Sequence, residues 1–383
     1  MKLTNIKKGI LLLLSYPIYP ISLFFPKNKK KWLFGSFGLF NDNSRYLFEY
    51  CIKNKLEISS YWVAKSKREY SHVRGKGYPV IYKYSLSGLF HLLTSKVYIY
   101  SSYVSNICYF TSGNKLLVNL WHGIPLKKIE YDILTPPLNN HFRNASLWMK
   151  ISHPQLHKRE NLLLCPSDFL YENMFSSAFR KTKNDIIYAN YPRVTYLDKN
   201  KFLKNNNDSF TITYTPTWRD SNPEFLNEKK DLLFKINKLA KEKSFNFNIK
   251  PHPNTVLNKK LFNTFEKIKI IDNNIDPLEL LLETDCLITD YSSIYLDFLF
   301  LNRPIVFFQY DKSSYLENRE LYNCMKNKLP GYVCNNDDEL LILLSSTIDG
   351  NIHKNDRSDL LKLITSNNED SFIIDRIKER ISI

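Results

Sequence analysis

The chain has 383 residues, 43% apolar and 14% aromatic. That is too hydrophobic for a disordered protein and longer than one core ordinarily holds, so two domains are expected. Lys and Arg outnumber Asp and Glu by 54 to 38, a net charge of +16, which calls for an anionic partner: nucleic acid, an anionic membrane face or a phosphorylated substrate.

The N-terminus comes first in chain order. Residues 9–25 read GILLLLSYPIYPISLFF, with Lys7 and Lys8 before them and Lys27, Lys29, Lys30 and Lys31 after. A spanning helix needs about 20 apolar residues; this run is shorter and is broken by Pro17 and Pro20. No small-residue cleavage motif follows it. Residues 1–30 are therefore expected to associate with an anionic cytoplasmic leaflet. A buried first helix and a true span are the alternatives.

Next come short apolar segments separated by helical ones. KWLFGSFG (31–38), SSYWVAKS (59–66), YPVIYKYS (78–85), KVYIYSSYV (96–104), KLLVNLWHG (115–123), NLLLCPSDF (161–169) and DIIYANYPR (185–193) read as strands, with an apolar helix at 86–95. Several are apolar on both faces, the habit of parallel strands covered by helices. The polar, Asn-rich KNKFLKNNNDS (199–209) reads as a domain boundary. Beyond it the alternation restarts: strands at 210–220, 245–253, 268–273, 286–290 and 303–311, and helices at 228–244, 276–285 and 291–302. Asp276 and Pro277 suit an N-cap and a first helical position. The pattern predicts two doubly wound α/β domains facing a cleft, spanning 31–205 and 206–350. Helices over 351–383 are candidates to pack back on the first domain. Six scattered cysteines (Cys51, Cys108, Cys165, Cys286, Cys324 and Cys334) form no C-x-x-C pair and have no His at zinc spacing, which fits free thiols in a reducing compartment.

In open α/β sheets, ligands bind outside the carboxyl ends of the strands. Polar residues collect there. His122 follows 115–121; Trp218 and Arg219 follow 210–215; His252 follows 245–250; Asp290, Ser292 and Ser293 follow 286–289; Asp311 ends the last strand. Two serines opening a helix suit either a cap or a phosphate held by free N–H groups. His122, with Gly123 and Pro125 after it and Lys127 and Lys128 beyond, is a candidate general base or a structural strand-end histidine. His252 lies between two prolines, as an oriented donor or a turn residue. Arg219 is a candidate phosphate clamp, and Trp218 a stacking face or a core residue. No P-loop, no G-x-G-x-x-G fingerprint and no D-x-D metal signature is present, so no cofactor and no metal ligand are assigned, and divalent-cation dependence is left open.

Taken together, NLWHGIPLKK, YTPTWRD, KPHP and ITDYSSIYLDFLFLNRPIVFFQYD resemble the CDP-glycerol glycerophosphotransferase family of teichoic-acid primases and polymerases, over residues 95 to 335. The resemblance implies a GT-B-like fold and CDP-glycerol as donor. It also implies peripheral attachment at the cytoplasmic face of the cell membrane, where a lipid-linked (polyprenyl-diphosphate) acceptor or polymer lies. Residue by residue, it implies His122 as catalytic base, His252 in donor phosphate handling, and Arg219, Asp290, Ser292 and Ser293 at the donor. Lys127, Lys128 and Arg193 are candidate acceptor or phosphate contacts. The chain departs from the family in having NYPRVT, which keeps Pro192 and Arg193 only, and in having Glu320 after Arg319 where glycine is usual.

The activity expected is transfer of glycerol phosphate to a hydroxyl of a lipid-linked glycan or a growing teichoic-acid-like or capsular polymer, with release of CMP. Three rivals stand beside it: the same fold using CDP-ribitol or a nucleotide sugar, a basic nucleic-acid-binding protein, and a non-catalytic membrane scaffold, which the strand-end His and Arg residues argue against. The second lacks an aromatic-basic RNA motif and a helix-turn-helix pattern, so no nucleic-acid partner is expected.

Overall fold

The computed structural model describes residues 15–54, 57–202, 209–317, 319–346, 348 and 352–382. Residues 1–14 of the expected membrane-association segment and 203–208 of the Asn-rich boundary lie outside them. The chain divides into two units. The first holds the described residues up to Gly123, Ile129–Thr195, and Thr365 onward; the second holds Ile124–Lys128 and the described part of Tyr196–Ile364.

The first unit is built on a seven-stranded sheet: β1 (Asn28–Gly35), β2 (Ser59–Ala64), β3 (Val80–Tyr82), β4 (Ser95–Tyr100), β5 (Leu116–Asn119), β6 (Leu162–Leu164) and β7 (Ile186–Ile187). Their order is β3-β2-β1-β4-β5-β6-β7, and each pairing is parallel. Trp32, Leu33 and Phe34 are fully buried, as a central parallel strand with helices on both faces requires. β1 begins three residues earlier than expected, so Lys29, Lys30 and Lys31 of the basic flank are strand residues. Lys31 Nζ donates to Thr94 Oγ1 at 2.8 Å, and Lys27 Nζ donates to the carbonyls of Ser22 and Leu93, both at 2.7 Å. Two of the four lysines read as a membrane flank thus tie the unit together internally.

The second unit has six parallel strands: β8 (Thr211–Thr215), β9 (Asn246–Ile249), β10 (Ile268–Ile270), β11 (Cys286–Thr289), β12 (Ile305–Phe308) and β13 (Tyr332–Cys334). The order is β10-β9-β8-β11-β12-β13. Asp276 caps the helix Pro277–Glu283, its carboxylate accepting from the Leu278 amide. The helix expected over 291–302 is shorter. It runs Ile294–Phe298 and tightens into a single 3₁₀ turn, Leu299–Leu301, that ends on Asn302 at φ 50°. The cause is Asp290: its carboxylate captures the Tyr291 and Thr217 amides and draws residues 290–293 into a loop. Both serines therefore precede the helix instead of forming its first turn.

Near the C-terminus, Lys354–Ile364 belongs to the second unit and Asp370–Ile381 to the first. Reciprocal hydrogen bonds between Asn190 and Ser366, and one from the Asn190 amide to Asn368 O, hold the returning chain to the loop after β7. All six cysteines carry free thiols. Among the described residues no helix is long and apolar enough to cross a membrane.

Each sheet has one topological switch point, between β1 and β4 in the first unit and between β8 and β11 in the second. Those are the crevices where open α/β sheets receive ligands.

Candidate functional site

In the first unit, His122 lies beside the switch point. β5 ends at Asn119, whose side chain accepts from the Trp121 amide at 2.9 Å and donates to Ser102 O at 3.0 Å. Asn43, buried just beyond β1, donates to Trp121 O at 2.7 Å. These bonds hold the chain through a sharp reversal, with Trp121 at φ 53° and Gly123 at φ 127°. The Trp121 ring is buried edge-on against Phe179 and anchors the turn. At Gly123 a Cβ would lie 2.4 Å from Arg193 Nη2, so both the backbone angle and the space require glycine. Arg193 Nη1 donates to His122 O at 2.6 Å and pairs with Asp42 at 3.2 Å.

The His122 ring has one polar contact on Nδ1, to Ser101 O at 3.3 Å. A carbonyl only accepts, so Nδ1 carries the proton and neutral Nε2 presents a lone pair. His122 is an exposed residue, yet protein crowds its ring. That desolvation lowers its pKa, Asp42 opposes the shift, and Arg193 adds to it. The site thus holds an imidazole that stays neutral below the usual range.

In the second unit the switch point carries a buried ionic hub. Asp290 accepts from the Thr217 amide (3.0 Å to each oxygen), from Thr217 Oγ1 and from the Tyr291 amide, and pairs with Arg219 Nη1 at 3.0 Å. Arg219 also grips Asp311 through Nε at 2.6 Å and Nη2 at 3.0 Å, and donates to Thr217 O. Burial works against the guanidinium charge, but the Asp311 hydrogen bonds and the Asp290 charge outweigh it and raise the pKa. The donors of Arg219, expected as a phosphate clamp, are thus directed at two carboxylates and a carbonyl. Asp290 is likewise turned inward, and the pair sets the shape of the loop Thr215–Arg219.

That loop walls a cavity of about 340 Å³, lined among others by Lys127, Trp218, Lys250, His252, Ser292 and Arg319. Its lining includes no carboxylate, although Arg319 shares its charge with Asp220. A second cavity of about 460 Å³ mixes Asp220, Glu228 and Asp311 with Lys229 and the arginines, so it lacks this single-sign character. His252 has the reverse tautomer of His122: its Nδ1 accepts from the Asn254 amide at 3.2 Å, leaving Nε2–H to donate when the ring is neutral. Its pKa is lowered by burial and then by Lys127. The ring stacks on Trp218, centroids 5.9 Å apart, and the buried Trp218 Nε1–H has no acceptor among the described residues.

NLWHGIPLKK is divided after Gly123. Ile124–Lys128 joins the second unit by backbone hydrogen bonds from Lys128 N to Glu320 O (2.8 Å) and from Tyr322 N to Leu126 O (2.9 Å). The antiparallel pairing turns consecutive side chains to opposite sides. Lys127 lines the cavity, where burial, then Arg319, lower its pKa to about 8. Lys128 turns to Glu320 at 3.2 Å. Ser292 lines the cavity and Ser293 does not. Sequence reasoning passed over Lys250 and Arg319, and it missed the support that Asn43, Asn119 and Ser101 give His122. Lys250 was legible within KPHP, where the histidine drew attention instead. Among the described residues no group of three or more His, Cys, Asp or Glu is placed to hold a metal.

Two parallel doubly wound sheets, each with polar loops gathered at its switch point, define a GT-B-like α/β fold. The solved structure of the wall teichoic acid polymerase TagF matches with a TM-score of 0.72 at 21% identity, covering 100% of this chain and 99% of that one. The S. aureus MnaA–UDP structure matches with a TM-score of 0.55 at 11% identity, covering 92% of this chain and 97% of that one.

The chain belongs to the CDP-glycerol:poly(glycerophosphate) glycerophosphotransferase family, whose pattern matches residues 18–381. It is similar to the teichoic acid poly(glycerol phosphate) polymerase of Bacillus subtilis strain 168, 26% identical over 89% of this chain, and spans 47% of that protein's length. It is 26% identical to the teichoic acid glycerol-phosphate transferase of Staphylococcus aureus, over 88% of this chain and 89% of that one.

Proposed function

We propose that the chain transfers glycerol phosphate from CDP-glycerol to a hydroxyl of a growing teichoic-acid-like polymer. The observation that carries this is the cavity at the second switch point: three cationic side chains, a histidine, an orphaned indole N–H and no lining carboxylate. Such a lining stabilises a diphosphate and the charge that develops when it is cleaved. A TagF variant has been soaked with CDPG, which supports the same donor.

In the proposed reaction the acceptor hydroxyl oxygen attacks the phosphorus bearing glycerol. The bond from that phosphorus to the bridging oxygen breaks, and CMP leaves with both electrons. The hydroxyl proton passes to His122 Nε2, the lone-pair nitrogen. His252 Nε2–H, Trp218 Nε1–H and the cations Lys127, Lys250 and Arg319 hold the diphosphate oxygens, with Ser292 beside them. Phosphoryl transfer depends mainly on positioning and charge stabilisation, so Arg219 and Asp290 contribute as positioning residues that set the loop. Arg193 does the same for His122.

The acceptor is proposed to be lipid-linked and the protein peripheral on the cytoplasmic membrane face. The excess of +16 and the apolar, lysine-flanked N-terminus support this. A ribitol reading stands second, because the chain is 27% identical to a teichoic acid poly(ribitol-phosphate) polymerase over 68% of its length. Incubation with labelled CDP-glycerol, CDP-ribitol and nucleotide sugars, each with short polymer acceptors, tests the donor. CMP release and label transfer from CDP-glycerol alone are expected; transfer from another donor in preference to it overturns the proposal.

A further inference from the structure

The segment that carries Lys127 to the donor cavity is short and is anchored on both sides. The chain enters the second unit at Ile124 and returns to the first at Ile129. Just before the segment, Arg193 donates to His122 O and abuts Gly123. Just after it, Glu130, Tyr131 and Asp132 form a single 3₁₀ turn, and each of the three is held by a different side chain. Tyr103 hydroxyl, in the loop after β4, donates to Glu130 Oε1 at 2.5 Å. Arg180 lies over the Tyr131 ring, 3.8 Å from its centroid. Ser177 Oγ donates to Asp132 Oδ2 at 2.8 Å.

Glu130 is the unusual member of this turn. Its φ is 49°, in the left-handed region that a long side chain seldom occupies and that persists only where the surroundings over-determine it. Its side chain is drawn inward, the residue being 6% exposed, and it lines a small cavity with Glu160 and Asn119. No step of the transfer reaction uses this carboxyl. Burial pushes its pKa up to about 8, with the Tyr103 hydrogen bond opposing and Glu160 adding, so at neutral pH it is an uncharged acid. Glycine would adopt the backbone angle without strain, and an apolar residue would fill the space without burying a polar group. What Glu130 supplies beyond either is an acceptor for Tyr103.

Between the anchors, backbone bonds pair Leu126 with Tyr322 and Lys128 with Glu320. Only three residues separate Lys127 from Glu130, a reach of about 10 Å, so Lys127 has little slack. We propose that Glu130 is a positioning residue for donor binding: by accepting from Tyr103 it fixes the return end of Ile124–Lys128 and thereby the place at which Lys127 meets the diphosphate. This rests on the function proposed above, in which Lys127 holds donor phosphate.

The test is calorimetric binding of CDP-glycerol to the full chain, with transfer and thermal unfolding measured on the same proteins. Glu130→Ala removes the acceptor and Tyr103→Phe removes only the hydroxyl, so the second variant still reports if the first fails to fold. Each should raise the Kd about tenfold, the scale of a small misplacement. Glu130→Gln should bind as the wild type does, because its amide oxygen accepts the same hydrogen bond and matches the uncharged acid. Added to Lys127→Ala, Glu130→Ala should weaken binding no further. An unchanged Kd in Tyr103→Phe and Glu130→Ala overturns the proposal even where Tm falls, since the turn would then serve stability alone. An additive loss in the double variant overturns it as well, because Glu130 would act apart from Lys127. A wild type that binds CDP-glycerol without transferring glycerol phosphate sinks the activity, and the Kd series still decides the role of Glu130. Transfer with an unchanged Kd series sinks that role alone.

Discussion

Arg193 donates to the carbonyl oxygen of His122 at 2.6 Å, and its other terminal nitrogen occupies the space where a side chain at position 123 would begin. One guanidinium therefore both orients the histidine and restricts its neighbour to glycine. Gly123→Ala should lower stability by about 1–3 kcal/mol, since alanine at φ 127° is strained and its methyl group displaces Arg193. Turnover should fall with it. Thermal unfolding and CMP release check both; an unaltered Tm with full activity contradicts the assignment.

His122→Ala should cost about 10²–10⁴-fold in turnover, the usual contribution of a general base. The base must be neutral, and its pKa is lowered in the fold. Activity should therefore persist below the ordinary imidazole range and fail only as pH drops through the lowered value. Asp42 raises that pKa and Arg193 lowers it. Asp42→Asn should move the acid limb of the kcat/KM profile to lower pH, and Arg193→Gln should move it to higher pH. Shifts in the opposite directions exclude His122 as the titrating base.

Lys127 loses its charge near pH 8. It should hold donor phosphate below that pH and release its grip above it, so KM for CDP-glycerol should rise between pH 7.5 and 9, on the order of the pKa itself. Lys127→Arg should remove this alkaline limb, because guanidinium stays charged. Lys127→Ala should raise KM at all pH values. A KM independent of pH in the wild type separates Lys127 from the donor.

Arg219→Ala leaves the Asp290 and Asp311 carboxylates without their shared cation in a buried setting. The expected loss is about 3–5 kcal/mol of unfolding free energy, read by denaturant titration. Arg219→Lys should recover little, having no fork to span both acids. Loss of donor affinity at unchanged stability would instead make Arg219 a direct phosphate contact.

Lys128→Ala is the contrasting case. Its pair with Glu320 is partly exposed, so its removal should cost under about 1 kcal/mol and leave KM for the donor unchanged, in contrast to Lys127 one residue earlier. Parallel unfolding and kinetic measurements on the two alanine variants check this.

Much of the fold was legible in the sequence because apolar runs of parallel strands advertise themselves. KLLVNLWHG, CLITD and RPIVFFQYD each hold a strand found where the pattern put it. Helix length after β11 was not legible, because it depends on Asp290 accepting amides from Thr217, 73 residues away. The start of β1 was missed because Lys29–Lys31 read as a basic flank, and only pairing with β2 and β4 draws them into the sheet. Lys250 and Arg319 could not be matched to Lys127 from spacing alone, since they come from three separate segments.

Residue chemistry and local order were enough to place histidines, serines and cations at strand ends, since a strand must end in a polar loop and its last residue is readable. What each group faces was decided by long-range packing. Arg219 and Lys127 were equally good phosphate ligands as letters. Burial beside Asp290 and Asp311 turned Arg219 inward, while the pairing of Lys127 with Leu321 set its side chain in the cavity and that of Lys128 on Glu320. The two histidines were likewise alike in sequence. A carbonyl at Ser101 and an amide at Asn254 gave them opposite tautomers, one fit to take a proton and the other to hold an oxygen.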